Sequence, residues 1–410
     1  MRIEFQRKVD RIVGKLICRI LSVFYRRGVT PPLDHTPKRI LIILLSEMGS
    51  LVLAHPMFCH LKEKFPGVSL HVLLFEKNKE CLEVLDTVSP ENILTINDKT
   101  FSQFAGSCFT SLIRMRKQKY DVVIDCELFA RISSIFSVLS GAPLRVGFHP
   151  HTQEGLYRGD FINRPVLYNP YHHISQQYLT LADGIDSTTV PSAKRLMMVQ
   201  ELEAPAIQFG QDEMERMRKR VADDFPQILG KELVLIYPSG GILPIRAWPL
   251  DHYCRIAREL VSMEYAVGVI GLAEDRPFGG RILSFCGQES CIDLTGYTKS
   301  IRELMILFHF ASLLITNDGG PVHFASMTPI PTMAFFGPES PVLYGSLDRK
   351  AVNYFLGISC SPCLTAYNHR NSPCDGDNAC LKEISPEQVL EKALEILRNE
   401  KRPVARALAD

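Results

Sequence analysis

The chain has 410 residues, enough for two domains with substantial hydrophobic cores. Hydrophobic residues make up 46% of the sequence and charged residues 22%, which is ordinary for a globular enzyme. The net charge of +1 argues against a general attraction to nucleic acid, and no apolar run reaches the ~18–20 residues of a transmembrane helix. The N-terminus lacks the charged start and apolar block of a signal peptide, so we expect a cytoplasmic protein.

The first 27 residues predict an amphipathic helix. Apolar side chains recur at helical spacing from Phe5 to Phe24, and basic side chains fill most of the remaining positions. Such a helix can lie in the headgroup plane of an anionic inner leaflet, or it can dock on its own protein or on a second subunit. Three prolines in residues 28–38 then predict a linker, so residues 1–37 form a separate helix-and-linker segment.

From residue 38 onward the pattern is that of an α/β protein. Near-continuous apolar runs alternate with helical stretches, which predicts parallel sheets covered on both faces. The predicted strands are residues 39–45, 68–75, 92–96 and 120–125 in the first half, and 232–239, 265–272, 291–295, 313–318 and 331–337 in the second. We therefore expect two Rossmann-like, doubly wound domains, residues 38–195 and 196–400, facing across a cleft. Ligands of such sheets bind at the carboxyl ends of the strands.

The sequence TNDGGPVH, residues 316–323, directly follows an apolar strand. Pro321 is favoured in the first turn of a helix, and Gly319 and Gly320 would permit unusual dihedral angles and close approach of a ligand. The free N–H groups at a helix start suit a phosphate. A tight strand–helix turn with a purely structural role is the alternative.

A second small-residue loop, in YPSGGILPIRAWPL, also follows a strand. Ser239 and Gly240 lie at the predicted carboxyl end of that strand, and Arg246 can hold a phosphate through two hydrogen bonds. Trp248 is the only tryptophan and would alternatively anchor the start of a helix.

Four sequence blocks occur in order and together resemble glycosyltransferase family 9, the ADP-heptose:lipopolysaccharide heptosyltransferase family. The blocks are RILIILLSEMGSLVLAHPMFCHLKEKFPG, YDVVIDCELFARISSIFSVLSGAPLRVGF, PSGGILPIRAWP and TNDGGPVHFASMTPIPTMAFFGPESP. The resemblance covers roughly residues 38–397. It implies a GT-B fold with the acceptor on the N-terminal domain and the nucleotide sugar on the C-terminal domain. It also implies inverting transfer of heptose without a catalytic metal.

The resemblance also implies a set of donor-binding residues. Arg246 stands where the family usually has lysine, Glu274 near the ribose position and Thr295 near the nucleobase position. The implied donor-binding residues are Ser239, Gly240, Arg246, Glu274, Thr295, Asp318, Gly319, Gly320, Pro321 and His323.

The first strand–helix loop departs from the family pattern. The family usually has Gly-Asp there, and the Asp is its proposed general base, whereas this chain has Gly49-Ser50. An inverting transfer needs a group that takes the acceptor proton, and an unactivated serine is a poor one. We therefore predict Glu47 as the base, with Asp125 as another candidate. Ser50 is included as a catalytic residue because it occupies the position of the family's usual Asp. A catalytically weak protein that binds nucleotide sugars is the alternative.

Basic residues follow the fourth predicted strand. Arg131, Arg145, His149 and Arg158 would suit a phosphorylated or acidic glycolipid acceptor, or they would form a solvated basic surface. We predict Arg131 and Arg145 as acceptor-binding residues.

Four cysteines, Cys360, Cys363, Cys374 and Cys380, fall within one short segment. Thiolates this close together predict a tetrahedral structural site for zinc or iron, with His369 as a substitute ligand. Two disulfides are the alternative, which a reducing compartment disfavours.

The predicted function is transfer of heptose from ADP-heptose to a lipopolysaccharide-core glycolipid at the inner leaflet, with no cofactor for catalysis. Protein O-heptosylation is the alternative within enzymes. A dinucleotide oxidoreductase is disfavoured because residues 45–50 carry no G-x-G-x-x-G motif.

Overall fold

The structure is a computed structural model that describes residues 3–25, 33–45, 47–148, 157–189, 192–196, 202–287, 289–368 and 370–399. The chain forms two compact units. Unit 1 consists of residues 1–203 and 365–370, and unit 2 of residues 204–364 and 371–410. Within the described residues, no helix combines the length and the apolar character needed to cross a bilayer.

Unit 1 is built on a six-stranded sheet with the order β3-β2-β1-β4-β5-β6, parallel throughout. The four predicted strands are confirmed. The last two strands were not predicted, because Arg145 interrupts one short apolar run and Pro165 the other. The strands are β1 (Arg39–Ile43), β2 (Ser69–Phe75), β3 (Ile93–Ile96), β4 (Val122–Asp125), β5 (Leu144–Phe148) and β6 (Arg164–Val166).

The helices of unit 1 include the N-terminal segment, which is helical from Ile3 to Phe24 with a π-helical turn at Asp10–Gly14. The helices are α1 (Ile3–Val9), α2 (Lys15–Phe24), α3 (Met48–Lys64), α4 (Lys79–Leu85), α5 (Phe101–Gln118), α6 (Arg131–Leu139) and α7 (Ile174–Asp183).

Unit 2 repeats the same architecture with the strand order β12-β11-β10-β7-β8-β9, again parallel throughout. All five predicted strands are confirmed. The edge strand β12 was not predicted, because it is only three residues long and has no buried residue. The strands are β7 (Leu233–Tyr237), β8 (Ala266–Gly271), β9 (Cys291–Thr295), β10 (Leu313–Asn317), β11 (Thr332–Phe335) and β12 (Val352–Tyr354).

The first helix of unit 2 precedes its sheet, and the last helix ends the part of the chain that the structure describes. The helices of this unit are α8 (Gln211–Asp224), α9 (Leu250–Ser262), α10 (Arg276–Cys286), α11 (Ile301–His309), α12 (Gly320–Ala325), α13 (Pro341–Tyr344), α14 (Ala379–Lys382) and α15 (Pro386–Asn399).

The two sheets have the same switch point in their strand order. The chain starts each sheet at its centre, builds outward on one side and then returns to the other, so β1 lies beside β4 and β7 lies beside β10. The loops that follow such central strands diverge and leave room for a ligand at the carboxyl end of the sheet. This topology brings the loops at residues 238–241 and 318–320 next to each other in unit 2.

Trp248 is a core residue of unit 2. Its ring stacks on Phe335 with centroids 4.4 Å apart, and its indole N–H donates to the backbone oxygen of Ile384 at 3.0 Å. The side chain is almost wholly buried. These contacts support the structural interpretation, in which Trp248 anchors the core of unit 2.

Asn317, the last residue of β10, joins three segments of unit 2 through its buried carboxamide. Its oxygen accepts hydrogen bonds from the backbone N–H of Trp248 at 2.8 Å and from the Tyr253 hydroxyl at 2.9 Å. Its Nδ2 donates to the backbone oxygens of Ser239 at 3.1 Å and Tyr237 at 3.4 Å. The end of β10 is thereby fixed to the loop after β7 and to the start of α9.

Replacing Asn317 with Ala should destabilise the protein by about 3 kcal/mol, because it leaves buried donors and acceptors without partners. Urea unfolding of both variants tests this against Asn353→Ala, which changes an exposed asparagine of β12 and should cost less than about 0.5 kcal/mol. Equal unfolding midpoints for the two variants would contradict the role assigned to Asn317.

Candidate functional site

The loop after β7 is folded by its own glycines. A Cβ on Gly240 would lie 2.7 Å from the backbone oxygen of Leu243 and 2.8 Å from the Cα of Pro244, so no side chain fits there. Gly241 has φ +58°, in the left-handed region. The Ser239 hydroxyl accepts a hydrogen bond from the Gly241 N–H at 3.1 Å, which closes the loop. The protein's own packing thus requires glycine at position 240.

Arg246 lies beside Asp318 at the switch point of unit 2. Its Nη1 is 3.6 Å from Oδ2 of Asp318, and both side chains are buried. The Asp318 N–H donates to the backbone oxygen of Phe335 at 3.0 Å, which fixes the start of the loop. The turn that carries Arg246 is held from its other side, because Nδ2 of Asn378 donates to the backbone oxygen of Ile245 at 2.7 Å. The guanidinium of Arg246 therefore lies at the loop that begins with Asp318, as the sequence predicted.

Gly319 and Gly320 lead into α12, which has only six residues. The expectation of unusual dihedral angles is wrong for Gly319, whose φ of 162° is extended backbone that any residue adopts. A Cβ on Gly319 would meet no atom closer than the Cδ of Pro321 at 4.0 Å. The protein's own packing therefore leaves space beside Gly319. His323, on the same short helix, is buried.

The two residues predicted to lie at the periphery of the donor site differ in their surroundings. Glu274 is exposed in a short 3₁₀ turn after β8. Thr295 ends β9 and is buried, and both its N–H and its hydroxyl donate to Oδ1 of Asp293, at 2.9 and 2.7 Å. Both lie at the carboxyl ends of strands of the same sheet, but the Thr295 hydroxyl already serves the protein's own structure.

Glu47 and Ser50 lie where β1 passes into α3 in unit 1. Glu47 directly precedes the helix, and Ser50 lies in its first turn with its N–H donating to the Glu47 backbone oxygen at 3.0 Å. Nη1 of Arg370 donates to Oε1 of Glu47 at 2.9 Å. Arg370 was not predicted as a partner of Glu47, because the two residues are 323 positions apart along the chain.

Asp125, the other candidate base, is wholly buried at the end of β4. It forms a salt bridge with Arg158 and accepts a hydrogen bond from the Glu127 N–H at 3.1 Å. Burial outweighs the attraction of Arg158 and raises the pKa of Asp125 to about 6. Arg158 also donates to the Ser133 hydroxyl at 2.8 Å. These contacts give Asp125 a structural role in unit 1.

The two predicted acceptor-binding arginines are engaged by their own unit. Nη1 of Arg131 lies 3.4 Å from Oδ2 of Asp10. Arg145 donates to the backbone oxygens of Phe161 and Ala142, both at 2.7 Å, and burial lowers its pKa. Their role toward an acceptor stays a prediction, and His149 lies outside the described residues.

The four clustered cysteines are free thiols, so neither disulfide of the alternative interpretation is present. Sγ of Cys363 lies 3.1 Å from the Ser372 hydroxyl. Burial, and then the charges of the other three thiols, raises the pKa of Cys380 to about 11. Among the described residues, which omit His369, no three His, Cys, Asp or Glu side chains are grouped to hold a metal ion. The predicted metal site is not confirmed in this arrangement.

Comparison with known proteins is consistent with this architecture. The sequence profile of glycosyltransferase family 9 (heptosyltransferase) matches residues 110–372. Lipopolysaccharide heptosyltransferase 2 of Salmonella typhimurium is 24% identical over 374 residues, which cover 88% of this chain and 99% of that protein.

Solved structures share the fold. Escherichia coli ADP-heptose lipopolysaccharide heptosyltransferase II superimposes with a TM-score of 0.68 at 21% identity, covering 89% of this chain and 100% of that one. E. coli heptosyltransferase WaaC with ADP-2-deoxy-2-fluoro heptose gives 0.58 at 13% identity, covering 87% and 99%. The chain therefore belongs to glycosyltransferase family 9, the heptosyltransferase family, and is a glycosyltransferase with two Rossmann-like sheets of the GT-B type.

Proposed function

We propose that the protein transfers heptose from ADP-heptose to a lipopolysaccharide-core glycolipid, with inversion and without a catalytic metal. The observation that carries the proposal is the pair of loops after β7 and β10. There Arg246 and Asp318 lie side by side next to Gly319, where an added Cβ would meet no atom outside its chain neighbours closer than Cδ of Pro321 at 4.0 Å. Family membership and a heptosyltransferase of the same fold solved with an ADP-heptose analogue support the choice of donor.

In this proposal the donor diphosphate contacts the backbone at Gly319 and Gly320, where Pro321 starts α12. Arg246 supplies the positive charge that balances the diphosphate as ADP leaves. The Asp318 carboxylate accepts hydrogen bonds from sugar hydroxyls, and His323 supports the loop from within α12. Ser239 and Gly240 shape the neighbouring loop, while Glu274 and Thr295 lie toward the ribose and the base.

Gly319→Ala should weaken ADP binding by about tenfold or more, because its methyl group would occupy space that the diphosphate needs. The melting temperature without ligand should stay unchanged, since the nearest atom to the added Cβ outside its chain neighbours is Cδ of Pro321 at 4.0 Å. Isothermal titration with ADP and thermal unfolding measure the two effects.

The matched control is Gly280→Ala, which also adds a methyl group in open space but lies on the exposed side of α10, outside the loops after β7 and β10. Its ADP affinity should equal that of the wild type. Wild-type ADP affinity in Gly319→Ala would refute the placement of the diphosphate.

The proposed base is Glu47. The acceptor hydroxyl oxygen bonds to the anomeric carbon while the bond from that carbon to the diphosphate breaks, and the hydroxyl proton passes to the Glu47 carboxylate. Arg370 holds Oε1 of that carboxylate at 2.9 Å and so acts as a positioning residue. Ser50 lies within the first turn of α3 and supplies no proton acceptor of comparable basicity.

Glu47→Gln should lower kcat by about 10²–10⁴-fold and leave ADP affinity unchanged, because the amide cannot take the acceptor proton but keeps an oxygen for Arg370 to contact. Adding Ser50→Asp to this variant restores the family's usual Gly-Asp pair and should recover part of kcat. Turnover is measured as ADP release with a soluble core-sugar acceptor. Wild-type turnover in Glu47→Gln would reject Glu47 as the base.

The acceptor and the location belong to the same proposal. A glycolipid acceptor would bring the protein to the cytoplasmic face of the inner membrane, with Arg131 and Arg145 toward the acceptor side. The alternatives are protein O-heptosylation, which mass spectrometry of co-expressed acceptors would reveal, and a nucleotide-sugar-binding protein of weak activity. The second alternative is favoured by Ser50 and would appear as ADP-heptose binding without turnover.

The four-cysteine segment does not enter the proposed chemistry. Its thiols suit a structural zinc or iron ion by donor type, but as arranged they are not grouped as ligands among the described residues. Metal analysis of the purified protein would decide whether Cys360, Cys363, Cys374 and Cys380 hold an ion.

A further inference from the structure

The N-terminal helical segment docks on unit 1 through its smallest residues. Gly14, Cys18 and Ser22 follow one another at four-residue intervals and are all buried. A Cβ on Gly14 would lie 3.1 Å from the Cβ of Arg131, and Cys18 packs with Val138 and Phe161. The helix therefore approaches α6 closely along its small-residue face.

Polar contacts fix this docking at three points. The Asp10 carboxylate accepts hydrogen bonds from the backbone N–H groups of Arg131 and Ile132, both at 3.0 Å, which caps the start of α6. Gln6 donates to Asp98 at 3.2 Å, and the Ser22 hydroxyl accepts from the Asp160 N–H at 2.9 Å. The helix is thus held at both ends and in the middle.

The opposite face of the same helix is apolar and exposed. The exposed fractions are 61% for Ile12, 59% for Leu16, 51% for Ile20, 66% for Val23 and 76% for Phe24. A helix docked on a soluble protein ordinarily buries its large aliphatic side chains and exposes polar ones. Here the small residues face the protein and the large aliphatic residues face away from it.

Between residues 6 and 25, the exposed charged side chains of the helix all have one sign. Lys8, Arg11, Lys15 and Arg19 are exposed, whereas the only acid between residues 6 and 25, Asp10, is turned toward α6. Basic side chains that flank an apolar stripe match the anionic headgroups and acyl boundary of a bilayer surface.

A second apolar and basic surface adjoins the helix. Leu139 packs in the same cluster as Cys18 and also lines an open groove of about 440 Å³ along α5. The α5 sequence contains no acidic residue. The other groove residues are Phe109, Leu112, Ile113, Arg116 and Lys117.

We propose that these two parts form one lipid-facing surface that binds an anionic phospholipid bilayer. The surface consists of Ile12, Leu16, Ile20, Val23 and Phe24 with the flanking basic residues and the α5 groove. The aliphatic side chains enter the acyl boundary, and the lysines and arginines contact phosphate groups. Because the helix is fixed on α6, binding also fixes the orientation of unit 1 at the membrane.

Charge favours a bilayer over a second copy of the chain as the occupant. A symmetric dimer on this face would bring two sets of basic side chains close together, and the one acid between residues 6 and 25, Asp10, already contacts α6. Vesicle binding does not require the transfer chemistry, so loss of vesicle binding and loss of turnover with a soluble acceptor are separate outcomes.

The test is co-sedimentation of the full-length protein with vesicles that contain phosphatidylglycerol, compared with vesicles of phosphatidylcholine alone. Leu16→Glu and Ile20→Glu should each lower the partition coefficient for anionic vesicles by about tenfold or more. The matched control is Leu196→Glu, which changes a leucine of unit 1 that is 77% exposed and lies outside the surface. It should bind like the wild type.

Neutral substitutions of the basic residues test the proposal even if a glutamate variant fails to fold. Lys15→Gln and Arg19→Gln should each weaken binding to anionic vesicles by about fivefold and reduce its salt sensitivity. Turnover of a soluble acceptor should not change in any of these variants.

Two results would overturn the proposal. One is wild-type binding to anionic vesicles by a folded Leu16→Glu variant. The other is a concentration-dependent dimer of the wild type that Leu16→Glu dissociates, with no vesicle binding by either protein, which would assign the face to a second copy.

Discussion

The carboxamide of Asn317 is the interaction on which the arrangement of the switch-point loops in unit 2 depends. It connects the end of β10 to the backbone of Ser239 and Trp248, two residues that lie far from it in sequence. A buried amide satisfies such a junction better than an apolar residue could, because each of the joined backbone groups needs a hydrogen-bond partner. Arg246 lies between these two fixed points, so its position beside Asp318 follows from the junction.

Two glycines at the same edge of the sheet serve different purposes. Gly240 is required by the protein itself, since backbone atoms of Leu243 and Pro244 occupy the space of any side chain. Gly319 has space where a Cβ would lie and has ordinary extended dihedral angles, so neither packing nor conformation demands glycine there. Space for a bound group is the remaining physical reason, which is why the donor proposal places the diphosphate beside Gly319.

The N-terminal helix reverses the usual relation between side-chain size and burial. Close helix packing needs small residues, and Gly14, Cys18 and Ser22 supply them along one face. Asp10 adds an electrostatic contact because the start of α6 presents free N–H groups. The large apolar side chains of this segment therefore do not mark the face that contacts unit 1. They mark the face of the helix that points away from unit 1.

The sequence alone determined the α/β class, the central strands of both sheets, the family and the loops of the candidate site, because these depend on local apolar periodicity and short motifs. Only the tertiary structure decided which loops are neighbours, since the strand order places β7 beside β10 across about 75 intervening residues. It also decided that Arg370 meets Glu47, that Asp125 is buried against Arg158, and that Trp248 belongs to the core. Contacts between distant residues depend on packing, which local sequence patterns do not encode.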